Sequence, residues 1–229
     1  MEITRVINEV KNQKKEIILL MVYLITASMY IFFNKPDSIV YNLEIYIDKI
    51  IPFTKEFIIF YYSWYVFLPM VIISLYLKSR EDYFKLLIGF SLGMLMCYLI
   101  YSIFQTTVPR PLIEENDFFS ILTKKIYEND NPYNCFPSIH VFTTAYGCFV
   151  MRKSNFKDSF LFRNSLNVLG ILIILSTLFV KQHVFMDAIG GITAAYLVYR
   201  LMYKPEGEKI LKWIRKQYSL WMMKRKLGT

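Results

Sequence analysis

Histidine and cysteine are scarce in this sequence, with two of the first and three of the second in 229 residues. Cys97, Cys135 and Cys148 form no CxxC pair and no even framework, which excludes a thiol-based zinc module and a disulfide-stapled small domain. Cys97 and Cys148 fall inside apolar runs and read as small buried side chains. Gly and Pro number eight each, and no internal repeat or low-complexity tract is present, so collagen-like, solenoid and linker-rich architectures are excluded. No cleavable leader is expected either: MEITRVINEVKNQKKE is too polar for a signal peptide, so the first apolar run is expected to be retained.

Apolar sequence is what the chain has in abundance. Hydrophobic residues make up 55% and the mean hydropathy is +0.34. They gather in six runs, Ile17–Phe33, Phe57–Leu77, Phe84–Phe104, Ile139–Met151, Ser165–Val180 and Phe185–Tyr203. A span needs roughly 20 residues, so the fourth run is short and borrows from its flanks. Pro69 inside the second run is expected to kink it, because proline removes a helical donor. The reading is all-α: a six-span transmembrane helical bundle over 17–203 with short amphipathic surface helices, forming one domain over 1–229.

The charge of +9 is unevenly placed. With both tails, Lys78–Lys85 and Arg152–Arg163 on one side, that side holds 20 of the 27 Lys and Arg. The positive-inside rule then makes both termini cytoplasmic and the 105–138 loop extracytoplasmic. In the N-terminal tail, 1–16, Ile3, Val6, Ile7 and Val10 recur at helical spacing. In the basic tail, 204–229, Leu211, Ile214, Tyr218 and Trp221 do so among Lys212, Arg215 and Lys216. Each tail reads as an amphipathic helix on an anionic leaflet, not as a nucleic-acid contact. Leu43, Ile47 and Ile50 suggest a similar surface helix outside. Lys124 and Lys125 read as solvated loop charges, and the many Tyr and Phe as lipid-facing or interfacial belts.

Both histidines stand where an apolar run meets the outer loops. One lies in Asn134-Cys135-Phe136-Pro137-Ser138-Ile139-His140, the other in Lys181-Gln182-His183-Val184-Phe185-Met186-Asp187, and Pro109-Arg110-Pro111 closes the third run. Ionisable groups at membrane depth are costly and mark function by default. Asp187 follows His183 by four residues, so on a helix its carboxylate shares the face. It would fix the imidazole tautomer and leave Nε2 free to attack. His140 could protonate a departing alkoxide. Arg110 offers a fork for phosphate oxygens, and Ser138 with the N–H groups at Ile139 and His140 opens a helix suited to an anion. This set performs phosphoryl transfer with no metal and no cofactor. A two-His-one-carboxylate metal site is the alternative, opposed by Arg110 and by the lack of a fourth clustered ligand.

Arg110-Pro111, Pro137-Ser138-Ile139-His140, and Ser176 with His183 and Asp187 resemble the three motifs of the type 2 phosphatidic acid phosphatase superfamily. The resemblance implies a helical fold and a phosphohistidine intermediate. It makes His183 the nucleophile, Asp187 its partner, His140 the general acid, and Arg110 and Ser138 the phosphate cradle. Three positions depart: Ile103 stands for the family lysine, Ile139 for its glycine and Thr177 for its arginine. Lys181, one helical turn beyond Thr177, is expected to restore one charge. The Lys-Gln-His form is similar to the branch of inositol phosphorylceramide and sphingomyelin synthases. The function expected is hydrolysis of a lipid phosphomonoester or diphosphate. A lipid phospho-headgroup transferase and a decayed site that only binds anionic lipid are the other two readings. Neither the lipid nor the oligomeric state can be read from the sequence.

Overall fold

The computed structural model describes residues 2–35, 39–154 and 160–204, with positions 209, 212, 213, 216 and 217 beyond, and side chains from 14 onward. The apolar faces expected in the tails, Ile3 to Val10 and Leu211 to Trp221, lie outside the described side chains. The described chain is helical, apart from a two-residue parallel pairing of β1 (Tyr41–Asn42) with β2 (Thr106–Thr107).

Every apolar run falls on a helix. The first forms most of α1 (Glu2–Ser28) and the short α2 (Tyr30–Phe33), and a surface turn follows as α3 (Tyr46–Ile50). The second and third runs are α4 (Ile58–Lys78), which holds Pro69 in its interior, and α5 (Arg80–Ile103). An unforeseen helix, α6 (Phe118–Asn129), lies in the long loop. The last three runs are α7 (Ile139–Lys153), α8 (Phe160–Phe179) and α9 (Phe185–Tyr203). Side-chain oxygens at Ser79, Asp117 and Ser138 accept from first-turn N–H groups and start α5, α6 and α7.

Four segments are long and apolar enough to cross a membrane: Lys14–Phe33, Lys55–Lys78, Arg80–Ile103 and Phe160–Phe179. Their outer faces are strongly apolar, with Ile25 at 59%, Leu99 at 65% and Leu161 at 79% exposure. A water-soluble fold does not leave such faces open. The two remaining runs differ for a physical reason. α7 has 15 residues and is mostly buried, enclosed by α4, α5, α8 and α9. α9 carries Asp187 in its first turn and Arg200 in its last.

Two close approaches fix α7. A Cβ at Gly93 would meet the Phe142 ring at 1.8 Å, so α5 crosses α7 with the ring lying against the glycine. A Cβ at Gly191 would lie 2.7 Å from the Ser138 carbonyl oxygen, which lets the start of α9 approach the start of α7. His140 and His183 meet at that junction.

Candidate functional site

The 180–184 loop is held by its own backbone. α8 stops at Phe179, and the N–H groups of Gln182 and His183 both donate to the Thr177 carbonyl at 3.0 Å. Lys181, just before them, adopts a left-handed conformation, φ 51°. The turn delivers His183 just before Val184, the N-cap of α9. Asp187, in the first turn of α9, accepts from the Val184 N–H at 3.0 Å and faces His183 Nδ1 at 3.3 Å through the same oxygen, Oδ2. The Asp187 carboxylate is fully buried, and Oδ1 has no hydrogen-bond partner among the described residues. Orienting the imidazole is therefore a contact the fold makes, with His183 outside the helix and not on its face.

The second histidine arrives from a loop pinned at three points. Thr106 Oγ1 accepts from the N–H groups of Cys135 and Phe136 at 3.1 and 2.8 Å, and the Tyr101 hydroxyl donates to the Pro137 carbonyl at 2.6 Å. Ser138 N–H donates to the Asp187 carbonyl at 3.1 Å, tying the two motifs together. Ser138 Oγ accepts from Val141 N–H at 3.2 Å, so it caps α7 while fully buried. The N–H groups of Ile139 and His140 open α7 without a backbone acceptor among the described residues. His140 and His183 stand with ring centroids 6.0 Å apart. His140 Nε2 pairs with the Tyr61 hydroxyl at 3.1 Å, and the Trp64 ring lies 4.5 Å from the imidazole.

Arg110 is the third contributor. Its guanidinium lies 4.5 Å over the Tyr127 ring, donates to the Tyr127 carbonyl at 3.1 Å and donates to Gln182 Oε1. The Tyr127 hydroxyl in turn donates to the Val180 carbonyl at 2.7 Å, so α6 bridges Arg110 and the His183 loop. Arg110 Nε is buried without a partner among the described residues, leaving donor capacity for an anion.

Lys181 corrects one expectation. It does not continue the Thr177 face, because α8 has ended and the backbone has turned left-handed. Thr177 itself is fully buried, with Oγ1 donating to the Ile174 carbonyl, and leaves no room for an arginine. Lys181 Nζ instead donates to the carbonyls of Asp48 and Ile51 at 2.8 and 2.6 Å. Desolvation lowers its pKa, opposed by the Asp48 and Glu44 carboxylates. It still lines a cavity of about 300 Å³ with Arg110 and His183. Ile103, where the family lysine would stand, is 79% exposed on the outside of α5 and does not line either cavity.

A larger cavity of about 560 Å³ opens on the other side of His183. It runs from α1 across α4 and α5 to the end of α6, and Asn134, Ile139 and His140 of the first histidine motif line it. His183 is the residue that both cavities share. A smaller space lined by Arg110 and Lys181 together with Glu44 and Asp48 lies on one side, and a larger aromatic space on the other. Sequence reasoning missed Tyr61, Tyr127, Gln182 and Asp48, whose carboxylate accepts from Phe185 N–H at 2.7 Å. Their only signal was position near a motif, and the partners that place them lie 53 to 137 residues away.

A metal would find different donors from the two-histidine set. Cys135, His183 and Asp187 bring one ligand atom each within 4.8 Å of one another, all buried, and His140 is not in the group. Burial first, then the Asp187 carboxylate, pushes the pKa of the Cys135 thiol well up.

The family model of the PAP2 superfamily matches residues 51–201. An uncharacterized protein of Methanocaldococcus jannaschii is 34% identical over 147 residues, covering 59% of this chain and 56% of that protein. The chain thus spans little more than half the length of that relative. No solved structure matches. With both histidines, Asp187, Arg110 and Ser138 all inside the matched segment, the chain belongs to the PAP2 superfamily.

Proposed function

We propose that this protein is a membrane phosphatase that hydrolyses lipid phosphomonoesters or diphosphates through a phosphohistidine at His183. The observation that carries the reading is the placement of His183 between two unlike cavities, with Asp187 behind it. Phosphate oxygens enter the smaller cavity near Arg110 and Lys181. The lipid portion occupies the larger one, between helices whose outer faces are apolar.

His183 Nε2 attacks phosphorus while the bond to the ester oxygen breaks, and the Asp187 carboxylate stabilises the positive imidazole. A proton from His140 neutralises the departing alkoxide. The Tyr61 hydroxyl on His140 Nε2 holds that ring in orientation for the transfer. Water then attacks the phosphohistidine, gives its proton to His140 and releases phosphate. A lipid hydroxyl taking the place of water would give the transferase outcome, and the volume of the aromatic cavity favours admitting one.

The same reading makes all six runs spans, with both termini cytoplasmic and the site end extracytoplasmic. α7 and α9 then cross inside a shell of the four more apolar segments, which is why the outer hydropathy of α7 matters little. A reporter fused at residue 125 that is active only outside the cytoplasm is expected; cytoplasmic activity there would reverse the orientation.

The decisive biochemical test uses purified protein with a lipid phosphomonoester. Phosphate release is expected to survive excess EDTA and to be blocked by vanadate. Activity lost on chelation and restored by one divalent metal would replace histidine chemistry with metal chemistry. Adding an alcohol-bearing acceptor lipid, then analysing products, separates hydrolase from transferase.

A further inference from the structure

The larger cavity has a chemistry that a lipid tail does not need. Asp130, at the end of α6, lines it together with the rings of Tyr30, Tyr61, Trp64, Tyr65 and Tyr98. The carboxylate is held in place: Oδ1 accepts from the Tyr30 hydroxyl at 2.8 Å and from Asn34 Nδ2 at 3.2 Å. The same two bonds leave Oδ2 unassigned to either group. Asp130 is half-buried, and the other polar residues around it are neutral asparagines, with Lys35 exposed at the rim. A carboxylate within a wall of aromatic rings attracts an organic cation, since each ring face is negative and the carboxylate adds a full charge. It repels a phosphate.

The charged groups on the two sides of His183 differ. The smaller cavity holds Arg110 and Lys181 beside the carboxylates of Glu44 and Asp48, and the larger holds Asp130 with Lys35 at its rim. His140, the proposed donor to the leaving oxygen, lies on the Asp130 side. Whatever is attached to the ester oxygen thus points toward Asp130. We infer that the Asp130 cavity is a subsite for an ammonium group carried by the alcohol portion of the substrate, so that the preferred substrate is a phosphate ester of an amino alcohol. This rests on the His183 reading above for its direction across the site. The ammonium has two possible sources: the amine of a long-chain amino-alcohol monophosphate, or the ethanolamine head of a phosphodiester lipid.

The test compares wild type with Asp130→Asn, an isostere that still accepts from Tyr30. Three esters are turned over in bilayer nanodiscs: a long-chain 2-amino-alcohol monophosphate, its N-acylated form, and a diacyl phosphodiester with an ethanolamine head. The ratio of kcat/KM for the amine over the N-acylated form is expected to fall about tenfold or more in the variant, the loss of one charge-assisted contact. Which ammonium ester wild type cleaves identifies the source. Binding of a long-chain primary amine without phosphate, followed through thermal stabilisation, supplies a readout that needs no turnover. Wild type should bind it about tenfold more tightly than Asp130→Asn, and Tyr65→Leu should weaken it as well. If wild type turns over no ester but the amine still discriminates the two proteins, the subsite stands and the phosphatase reading falls. An unchanged ratio together with equal amine binding overturns the subsite.

Discussion

His183→Ala is expected to eliminate turnover by at least about 10⁴-fold and to leave no phosphate on the protein, because among the described residues His183 is the one that lines both cavities. The second half of that statement is the sharper one. Brief reaction with a phosphate-labelled lipid, quenched in denaturant, should give wild-type protein carrying label that is stable in base and lost in acid, the behaviour of a phosphoramidate. His183→Ala should carry none. The fold should tolerate the change, since the loop is held by backbone bonds to Thr177 and by Asp187 to Val184, neither of which uses the imidazole. Asp187→Asn should be less benign to structure, because the fully buried carboxylate also caps α9. Label recovered on the His183→Ala protein would move the nucleophile elsewhere and remove the basis for the mechanism.

His140→Ala is expected to lower turnover of an alkyl phosphate by about 10²- to 10⁴-fold, the usual worth of a positioned proton donor. The effect should depend on the leaving group. A nitrophenolate departs without a proton, so the same variant should lose far less on a nitrophenyl phosphate. Tyr61→Phe should show the same pattern in weaker form, because its hydroxyl meets His140 Nε2 at 3.1 Å and orients the ring without reaching the phosphorus. Equal losses on both substrates would mean that His140 serves binding or packing. A packing role has its own structural basis: the imidazole sits against Trp64 and Tyr61, between α4 and α7.

The lysine in Lys-Gln-His gives two of its three N–H donors to the Asp48 and Ile51 carbonyls, so one remains. The glutamine is more informative. Gln182 receives Arg110, so a neutral side chain brackets the cation at 110.

How much of this was legible in the sequence follows from range. The six helices were, because each is encoded by a local run of apolar residues and its ends by Ser79, Ser138 and similar caps. The pairing of His183 with Asp187 was too, since four residues along the chain limit how far apart they can lie. Membership of the superfamily came from motif spacing over residues 103 to 187. What could not be read locally was everything that depends on which helix lies beside which. α6 was missed because its apolar face is satisfied by α4 and its polar face by Lys55, Asp117 and solvent, a pattern too weak in isolation. Lys181 was put on a helical face because spacing alone assumes the helix continues; a left-handed residue and two N–H groups sharing one carbonyl ended it. Tyr61, Tyr127 and Gln182 carry no signal by themselves, since a tyrosine in an apolar run looks like any interfacial aromatic until a partner from another helix reaches its hydroxyl. The sequence by itself determined the six apolar helices, the two histidine-bearing motifs and the family. Only the tertiary structure decided that His183 lines both a smaller cavity holding Arg110 and Lys181 with Glu44 and Asp48 and a larger aromatic one holding Asp130, because which side chains share a cavity depends on distances between segments, and those are set by packing.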